Sequence, residues 1–313
     1  MGSRFICKRV THEETGTAVA TWEDKDGYYG LFETTSEQPF SPENEFKDHI
    51  YQAGTSSAVW AIGSNAICKV KTWSEGMELE SNSLAFVKAN FPHIPIPEVV
   101  YSWLDERLHR TYLILRRMQG QTLEDAWPGL TPEQRDKTAT TIAQYCHDLT
   151  KVTSDTLQSS TGFGVLEPFL NVDSEDSHPS WKPRLLGPLA RALFEKYLQR
   201  ISAESQNTPP VDRFHFYHAD LGPTNILVAN DGTVQGILDW ESAGFYPRFW
   251  ITAKPYMSAG YCLQFSRDAR FDWTDLLQNK LHGFGFVLDM SVVEWYKGLN
   301  LEFFNVKEFL GID

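Results

Sequence analysis

Residues 213–244 read RFHFYHADLGPTNILVANDGTVQGILDWESAG. The apolar run 214–217 predicts a strand that delivers His218 and Asp220 to a break at Gly222-Pro223. Asn225 opens a second run, 226–229, that turns at Asn230-Asp231-Gly232; Asp-Gly suits the positive φ of a tight hairpin turn. The return leg, 233–238, ends at Asp239. Asn225 and Asp239 are equidistant from Gly232, so the hairpin is expected to set them opposite one another, with Cα atoms about 4.5–5.5 Å apart. Asp220 lies on the loop entering the same end. Two carboxylates and an amide oxygen at one rim form a hard-oxygen site suited to Mg2+.

The rest of the chain has to supply the frame for that rim. Its 313 residues, 42% of them apolar and ten of them Trp, are those of a packed globular protein with a sizeable core. A net charge of −13 lacks the basic footprint of a general nucleic-acid binder. No apolar run is long enough to span a bilayer and no signal peptide is legible, so the expected location is cytoplasmic with no membrane partner. Cys7, Cys68, Cys146 and Cys262 show no metal-ligand spacing; Cys68 and Cys146 sit in apolar patterns and read as reduced core residues.

Upstream, residues 1–50 are polar and punctuated, with a possible hairpin turn at Asp26-Gly27 and no assignable chemistry. From residue 52 the order is a small-residue loop (Gly54, Thr55, Ser56, Ser57), a strand 58–62, a break at 63–65 and a strand 66–70. Small residues let backbone N–H groups approach an anion closely, although the loop also reads as an ordinary turn. Met77, Glu80, Leu84, Val87 and Phe91 recur at helical spacing and share a face; Glu78 points about 160° away from Glu80 at the helical period. A carboxylate on a buried face needs a partner. Lys69 on the preceding strand is the natural one, and Lys71, on the same strand face, is the alternative.

Ile94-Pro95-Ile96-Pro97 then begins an extended segment, and 99–101 and 112–115 read as strands around a charged loop, 105–110. Arg116, Arg117 and Met118 form a connector out of this sheet. After Gly120 the pattern turns helical. Thr131-Pro132-Glu133-Gln134 combines an N-cap, a first-position proline and a capping-box glutamine, opening a helix that runs through Leu149. Residues 154–186 form a long loop with aromatics, a lid or an insertion. Further helices are expected at 189–201, 276–281 and 292–299, with an aromatic run at 245–250. The fold class is α+β: an antiparallel sheet braced by one helix, followed by a mainly helical part.

These residues resemble the aminoglycoside phosphotransferase family, the small-molecule branch of the protein-kinase-like fold, and among its members the fungal ones. The likeness is carried by His218-x-Asp220-Leu221-x3-Asn225-Ile226-Leu227-Val228 and by Gly236-x2-Asp239-Trp240-Glu241-x-Ala243-Gly244-Phe245-Tyr246-Pro247-x2-Trp250. Lys69, Glu80, 94–97 and 120–123 extend it over roughly residues 52–250.

The resemblance implies a bilobal chain. Residues 1–118 would form a nucleotide-binding lobe, with 1–50 as an extension, and 119–313 a helical lobe for catalysis and the acceptor. It also implies an ATP- and Mg2+-dependent transfer of phosphate to a hydroxyl of a small molecule, with Asp220 as base. Asn225 and Asp239 would be the metal ligands, and Lys69, held by Glu80, would contact the phosphates. Backbone groups at Gly54, Thr55, Ser56 and Ser57 would cover the triphosphate, and Arg116, Arg117 and Met118 would lie against the adenine. His218 reads as scaffold, Trp240 and Trp250 as packing, and Glu241 as a hydrogen-bonding residue or a further contact to metal or substrate.

Two other readings stay open. One is a catalytically idle nucleotide-binding module. The other is a protein kinase, disfavoured because Ala219 stands where such enzymes carry arginine and Trp240-Glu241 follows the metal aspartate. Acceptor identity, nucleotide preference and oligomeric state are not legible.

Overall fold

The computed structural model describes residues 4–11, 16–25, 27–34, 49–54, 56–175, 177–203 and 207–312. The chain divides into two compact units. The first comprises Met1–Glu75, Pro97–Met118 and Pro179–Pro183; the second comprises Gly76–Ile96, Gln119–His178 and Arg184–Asp313. Among the described residues every paired strand is antiparallel and eight α-helices are present, so the α+β class expected from the sequence is the one the chain adopts.

The first unit is built on strands. β4 (His49–Ala53), β5 (Ser57–Ile62), β6 (Ala66–Thr72), β7 (Val99–Asp105) and β8 (Arg110–Arg116) form a five-stranded sheet in the order β4-β5-β6-β8-β7. Strands β6, β7 and β8 put Cys68, Trp103, Tyr112 and Ile114 into one core, where the Trp103 and Tyr112 rings stack at 4.7 Å.

The polar first fifty residues hold more order than their composition announces. β1 (Phe5–Val10), β2 (Ala20–Asp24) and β3 (Gly27–Glu33) make a second sheet, ordered β1-β3-β2, whose Phe5, Trp22 and Leu31 join the same core. A few large apolar residues on one face suffice to dock a sheet whose other face is polar. Asp24 pairs with Gly27 at the expected hairpin; Asp26 lies outside the described residues. Asp24 also closes the 63–65 turn, accepting from the Ser64 amide at 3.0 Å and from the Ser64 hydroxyl. Gly63 is required there, because its φ is +64° and a Cβ would collide with the Asp24 carboxylate.

In the second unit α1 (Glu80–Asn90) packs Phe86 against Phe216 at 4.5 Å, and this aromatic contact helps explain why the helix groups with the second unit rather than with residues 1–75. The single cut at 118 expected from the sequence places it in the first. β9 (Gln121–Thr122), α2 (Leu123–Ala126) and α3 (Pro132–Leu149) follow. The capping box forms as predicted: Gln134 N–H donates to Thr131 Oγ1 at 3.3 Å and Thr131 N–H to Gln134 Oε1 at 2.8 Å.

The long loop carries β10 (Thr153–Ser154) and β11 (Thr156–Ser159) before β12 (Leu189–Ala190) and α4 (Arg191–Ile201). β13 (Phe214–Tyr217) then leads to the hairpin β14 (Ile226–Val228) and β15 (Val234–Ile237), and the aromatic run splits into β16 (Gly244–Pro247) and α5 (Arg248–Met257). α6 (Asp272–Gly283), α7 (Met290–Lys297) and α8 (Val306–Leu310) complete the chain. The sheet order β10-β13-β16-β11-β12 puts β13 at its interior, so the strand that leads into the His218 loop is paired on both sides at Phe214 and His215 and with β16 through Tyr217. No helix among the described residues is long and apolar enough to cross a membrane. The four cysteines are unbridged, and burial pushes the thiols of Cys68 and Cys146 up to about 12, where they are inert.

The carboxylate assignment at α1 is corrected. The helix begins only at Glu80, after Leu79 in extended conformation, so the helical phase does not reach residue 78. Glu78 is the buried acid and Glu80 is half-buried. Glu78 Oε2 accepts from Ser159 Oγ at 2.9 Å, Ser160 Oγ at 3.1 Å, and Thr161 N at 2.9 Å and Oγ1 at 2.6 Å; Oε1 accepts from Leu79 N at 3.1 Å and Asn82 Nδ2 at 2.8 Å. Burial alone would raise its pKa, but the bonds from Thr161, Asn82 and Ser159 prevail and hold it below the usual carboxylate value.

Glu78 thus staples residues 159–161 to the start of α1. Glu78→Ala should cost about 2–4 kcal/mol in urea unfolding, since charged hydrogen bonds are lost and their donors stranded. Because the folded pKa lies below the unfolded one, this stability is present above an unfolded pKa of about 4.3 and is lost as pH falls through the folded value. Glu78→Gln should flatten that part of the acid limb; an unchanged limb would remove Glu78 from it.

Candidate active site

The strand β13 ends at Tyr217, and the next three residues are shaped by one buried imidazole. His218 Nε2–H donates to the Leu238 carbonyl at 2.8 Å, while Nδ1 accepts from the Asp220 N–H at 3.1 Å. Burial lowers the His218 pKa, with Asp220 and Asp239 pulling the other way, and the neutral ring is the form those two bonds require. Its ring lies 4.5 Å from the Trp240 ring, with the two planes inclined at 65°. His218 is therefore a fastener: it ties the backbone of Asp220 to the residue that precedes Asp239. The scaffold role read from the sequence agrees with this geometry.

The hairpin register differs from the expected mirror. Ile226 pairs with Ile237 and Leu227 with Gly236, but Val228 pairs with Val234, so Gln235 bulges out of the return strand. Ala229 N–H bonds Thr233 O at 2.9 Å, which centres the turn on Asp231 rather than Gly232. Leu238, not Asp239, is consequently the partner of Asn225, with Leu238 N–H donating to Asn225 O at 2.8 Å. Asp239 leaves the strand in the left-handed region at φ +62°, ψ +61°, and Ala219 has φ +66°. Non-glycine residues held there cost roughly 1–2 kcal/mol each. In this chain one such residue directly precedes Asp220 and another is Asp239 itself.

The predicted residues come together in two sets. Asn225 Nδ2 donates to Asp220 O at 2.9 Å and to Asp220 Oδ2 at 3.0 Å, so the Asn225 amide is oriented with Oδ1 as its remaining acceptor. Glu80, Asp239 and Glu241 each offer a carboxylate oxygen within 4.8 Å of the others. Glu80 Oε1 also accepts the Trp240 N–H at 3.1 Å, bracing the turn that carries Asp239. Oxygen-only donors of this kind match Mg2+ chemistry, so the residues present fit the ion.

The remaining predicted residues lie in the first unit. Lys69 is a buried residue of β6 between Val59 and Leu113; Lys71, two positions on, is half-buried. Gly54 has φ +52° in the β4–β5 turn, but Ser56 spends its N–H on Ala53 O at 3.1 Å and its Oγ on the same oxygen at 2.9 Å. A tight turn consumes its own donors, so the Ser56 amide is not offered to an anion in this conformation. Ser57 is the first residue of β5, and Thr55 lies outside the described residues. Arg116 ends β8, its N–H bonded to Glu98 O at 2.9 Å; Arg117 N–H bonds Asn65 O at 2.9 Å, and Met118 ends the segment Pro97–Met118 of that unit.

Sequence reasoning missed the support beneath the loop. Glu167 and Lys254 form a buried ion pair at 2.6 Å, and Trp250 Nε1 donates to the same Glu167 oxygen at 2.8 Å. Trp250 and Lys254 stand one helical turn apart on α5, and a lone lysine in an apolar helix was the available signal. Tyr261 was missed as well. Its Oη accepts the Leu221 N–H at 3.0 Å and lies 2.9 Å from Tyr217 Oη.

The sequence model of the Phosphotransferase enzyme family matches residues 50–250, well over half of the chain. The chain belongs to that family. No curated protein matches it. Solved structures similar to it include an aminoglycoside-3'-phosphotransferase of type VIII, 15% identical, covering 85% of this chain and 96% of that one with a TM-score of 0.49. A second is APH(3'')-Id from Streptomyces rimosus ATCC10970, 12% identical, covering 85% and 92% with a TM-score of 0.46. A third is the GDP and kanamycin complex of APH(2")-IIia, 14% identical, covering 79% of each chain with a TM-score of 0.43.

Proposed function

We propose that this phosphotransferase moves the γ-phosphate of ATP, with Mg2+, onto a hydroxyl of a small molecule such as an aminoglycoside, amino alcohol, sugar or secondary metabolite. One observation carries the reading: His218 fastens Asp220 and Leu238, and Asn225 bonds both Asp220 and Leu238, so base, amide and metal carboxylate belong to one braced assembly. Phosphoryl transfer asks a protein for positioning and charge neutralisation more than covalent chemistry.

Asp220 takes the proton of the acceptor hydroxyl as that oxygen bonds to the γ-phosphorus and the bond to the bridging oxygen of ADP breaks. Asn225 and Asp239, with Glu241 and Glu80 close by Asp239, are the groups that would hold Mg2+. When bound, the ion neutralises charge on the nucleotide phosphates. Lys69 would contact the phosphates, and Gly54, Thr55 and Ser57, together with Arg116, Arg117 and Met118, would serve the nucleotide from the first unit. Four unbridged cysteines suit a reducing compartment, and we place the protein in the cytoplasm.

The test is ADP release from Mg-ATP against a panel of aminoglycosides, amino alcohols and sugars. Acceptor-dependent ADP is expected. Tight ATP binding without turnover on any acceptor would identify a binding module instead. Lys69→Ala and Glu80→Ala are each expected to raise the KM for ATP, and the double variant to lose less than the sum in free energy. Additive losses would assign the two residues to separate tasks.

A further inference from the structure

We propose that Gly260 sets the size of the acceptor that reaches the catalytic base, a refinement that rests on the phosphotransferase reading above. Asp220 has two carboxylate oxygens in different situations. Oδ2 takes the Asn225 amide, whereas among the described residues no donor reaches Oδ1. Oδ1 faces Gly260: a Cβ built on that glycine would lie 3.5 Å from it. Ala259 and Gly260 are exposed, although Ser258 and Tyr261 on either side are buried. A hydroxyl hydrogen-bonded to Oδ1 therefore brings its carbon skeleton against the bare Cα of Gly260.

The turn is held in place at several points. Gly222, in the loop after Asp220, packs so closely that a Cβ there would collide with the Gly260 carbonyl. Leu221 N–H bonds Tyr261 Oη at 3.0 Å, and Ser258 Oγ accepts the Gly260 N–H at 3.2 Å. Gly260 does not have the positive φ that would demand glycine for backbone reasons, and an added methyl meets only Asp220 Oδ1 and, at 3.3 Å, the small Ser258 hydroxyl. Neither backbone strain nor a backbone collision therefore accounts for glycine at this position. Open space beside the base does.

The test compares transfer to water with transfer to larger hydroxyls. Wild type, Gly260→Ala and Gly260→Leu are assayed for ADP release from Mg-ATP with water alone, ethylene glycol, glycerol, ethanolamine and kanamycin. Melting temperatures report that the variants fold. Hydrolysis by water is expected to stay within about threefold in both variants. For the largest acceptor that wild type uses, kcat/KM should fall roughly tenfold in Gly260→Ala and about a hundredfold in Gly260→Leu, in step with the displacement forced on the reacting hydroxyl. The KM for ATP should not move. Equal losses for water and for the alcohols, or no loss with either, would overturn the role of Gly260 while leaving the phosphotransferase reading standing. Wild-type hydrolysis with no transfer to any alcohol would instead overturn that reading, and this proposal with it.

Discussion

Asp220→Ala should lower acceptor-dependent ADP release by about 10²–10⁴, the range supplied by a positioned general base, while leaving the melting temperature nearly unchanged. The separation of activity from stability follows from the local bonds. Asn225 Nδ2 contacts both the backbone carbonyl and the carboxylate of Asp220, so removing the carboxylate leaves the 2.9 Å bond to the carbonyl. His218 likewise bonds the Asp220 N–H, which alanine retains. The loop keeps its ties and loses only the carboxylate. The KM for ATP should stay near wild type, because no role in holding the nucleotide is assigned to Asp220. Activity near wild type would remove Asp220 from proton transfer, and a collapse in stability would make it a structural residue.

Asp239→Asn is expected to have the second large effect, on the nucleotide rather than on the acceptor. Ligand present at 100 times its Kd stabilises a folded protein by about 2.7 kcal/mol, and Asp239→Asn should abolish the Mg2+-dependent part of that gain with ATP. The choice of Asn is deliberate. Asp239 sits at φ +62°, and Asn tolerates the left-handed region far better than alanine does, so the substitution removes charge without adding strain. Glu80 Oε1 bonds the Trp240 N–H, a backbone group that the change does not touch. An undiminished Mg2+-ATP shift would refute the assignment of Asp239 to the metal.

The parts of the molecule that could be read from sequence were those governed by local rules. Thr131-Pro132-Glu133-Gln134 specifies a helix start through bonds among its own residues, and that start is where α3 begins. The apolar runs 58–62 and 66–70 likewise fall within β5 and β6. Reading failed where one residue or one distant partner changed the outcome. The bulge at Gln235 shifts the hairpin by one position and gives Asn225 a different partner, although the loop, the amide and both carboxylates remain at the same end. Symmetry about a turn predicts register only if every residue on both legs is paired.

Glu78 shows the other limit. Helical phase was extended upstream to Met77, three residues before α1 begins, and the acid judged to face away is the one that Ser159, Ser160 and Thr161 bury. Those three partners lie 81 to 83 positions away, beyond any local pattern. The same holds for Glu167 and Lys254, separated by 87 positions. α5 was hidden differently, because Pro255 lies inside it and its aromatic start reads equally well as strand. In the first fifty residues only a possible hairpin turn was legible, because the sheet of β1, β2 and β3 owes its core to Phe5, Trp22 and Leu31, too few to mark a pattern.

The central claim is that the assembly braced by His218 transfers phosphate to a small hydroxyl. Following [γ-32P]ATP with Mg2+ and the best acceptor of the panel tests it most directly. Label should appear in the acceptor in step with ADP, and Asp220→Ala should lose that transfer at unchanged ATP binding. Label that remains in ATP with every acceptor, or that reaches only inorganic phosphate, would contradict it.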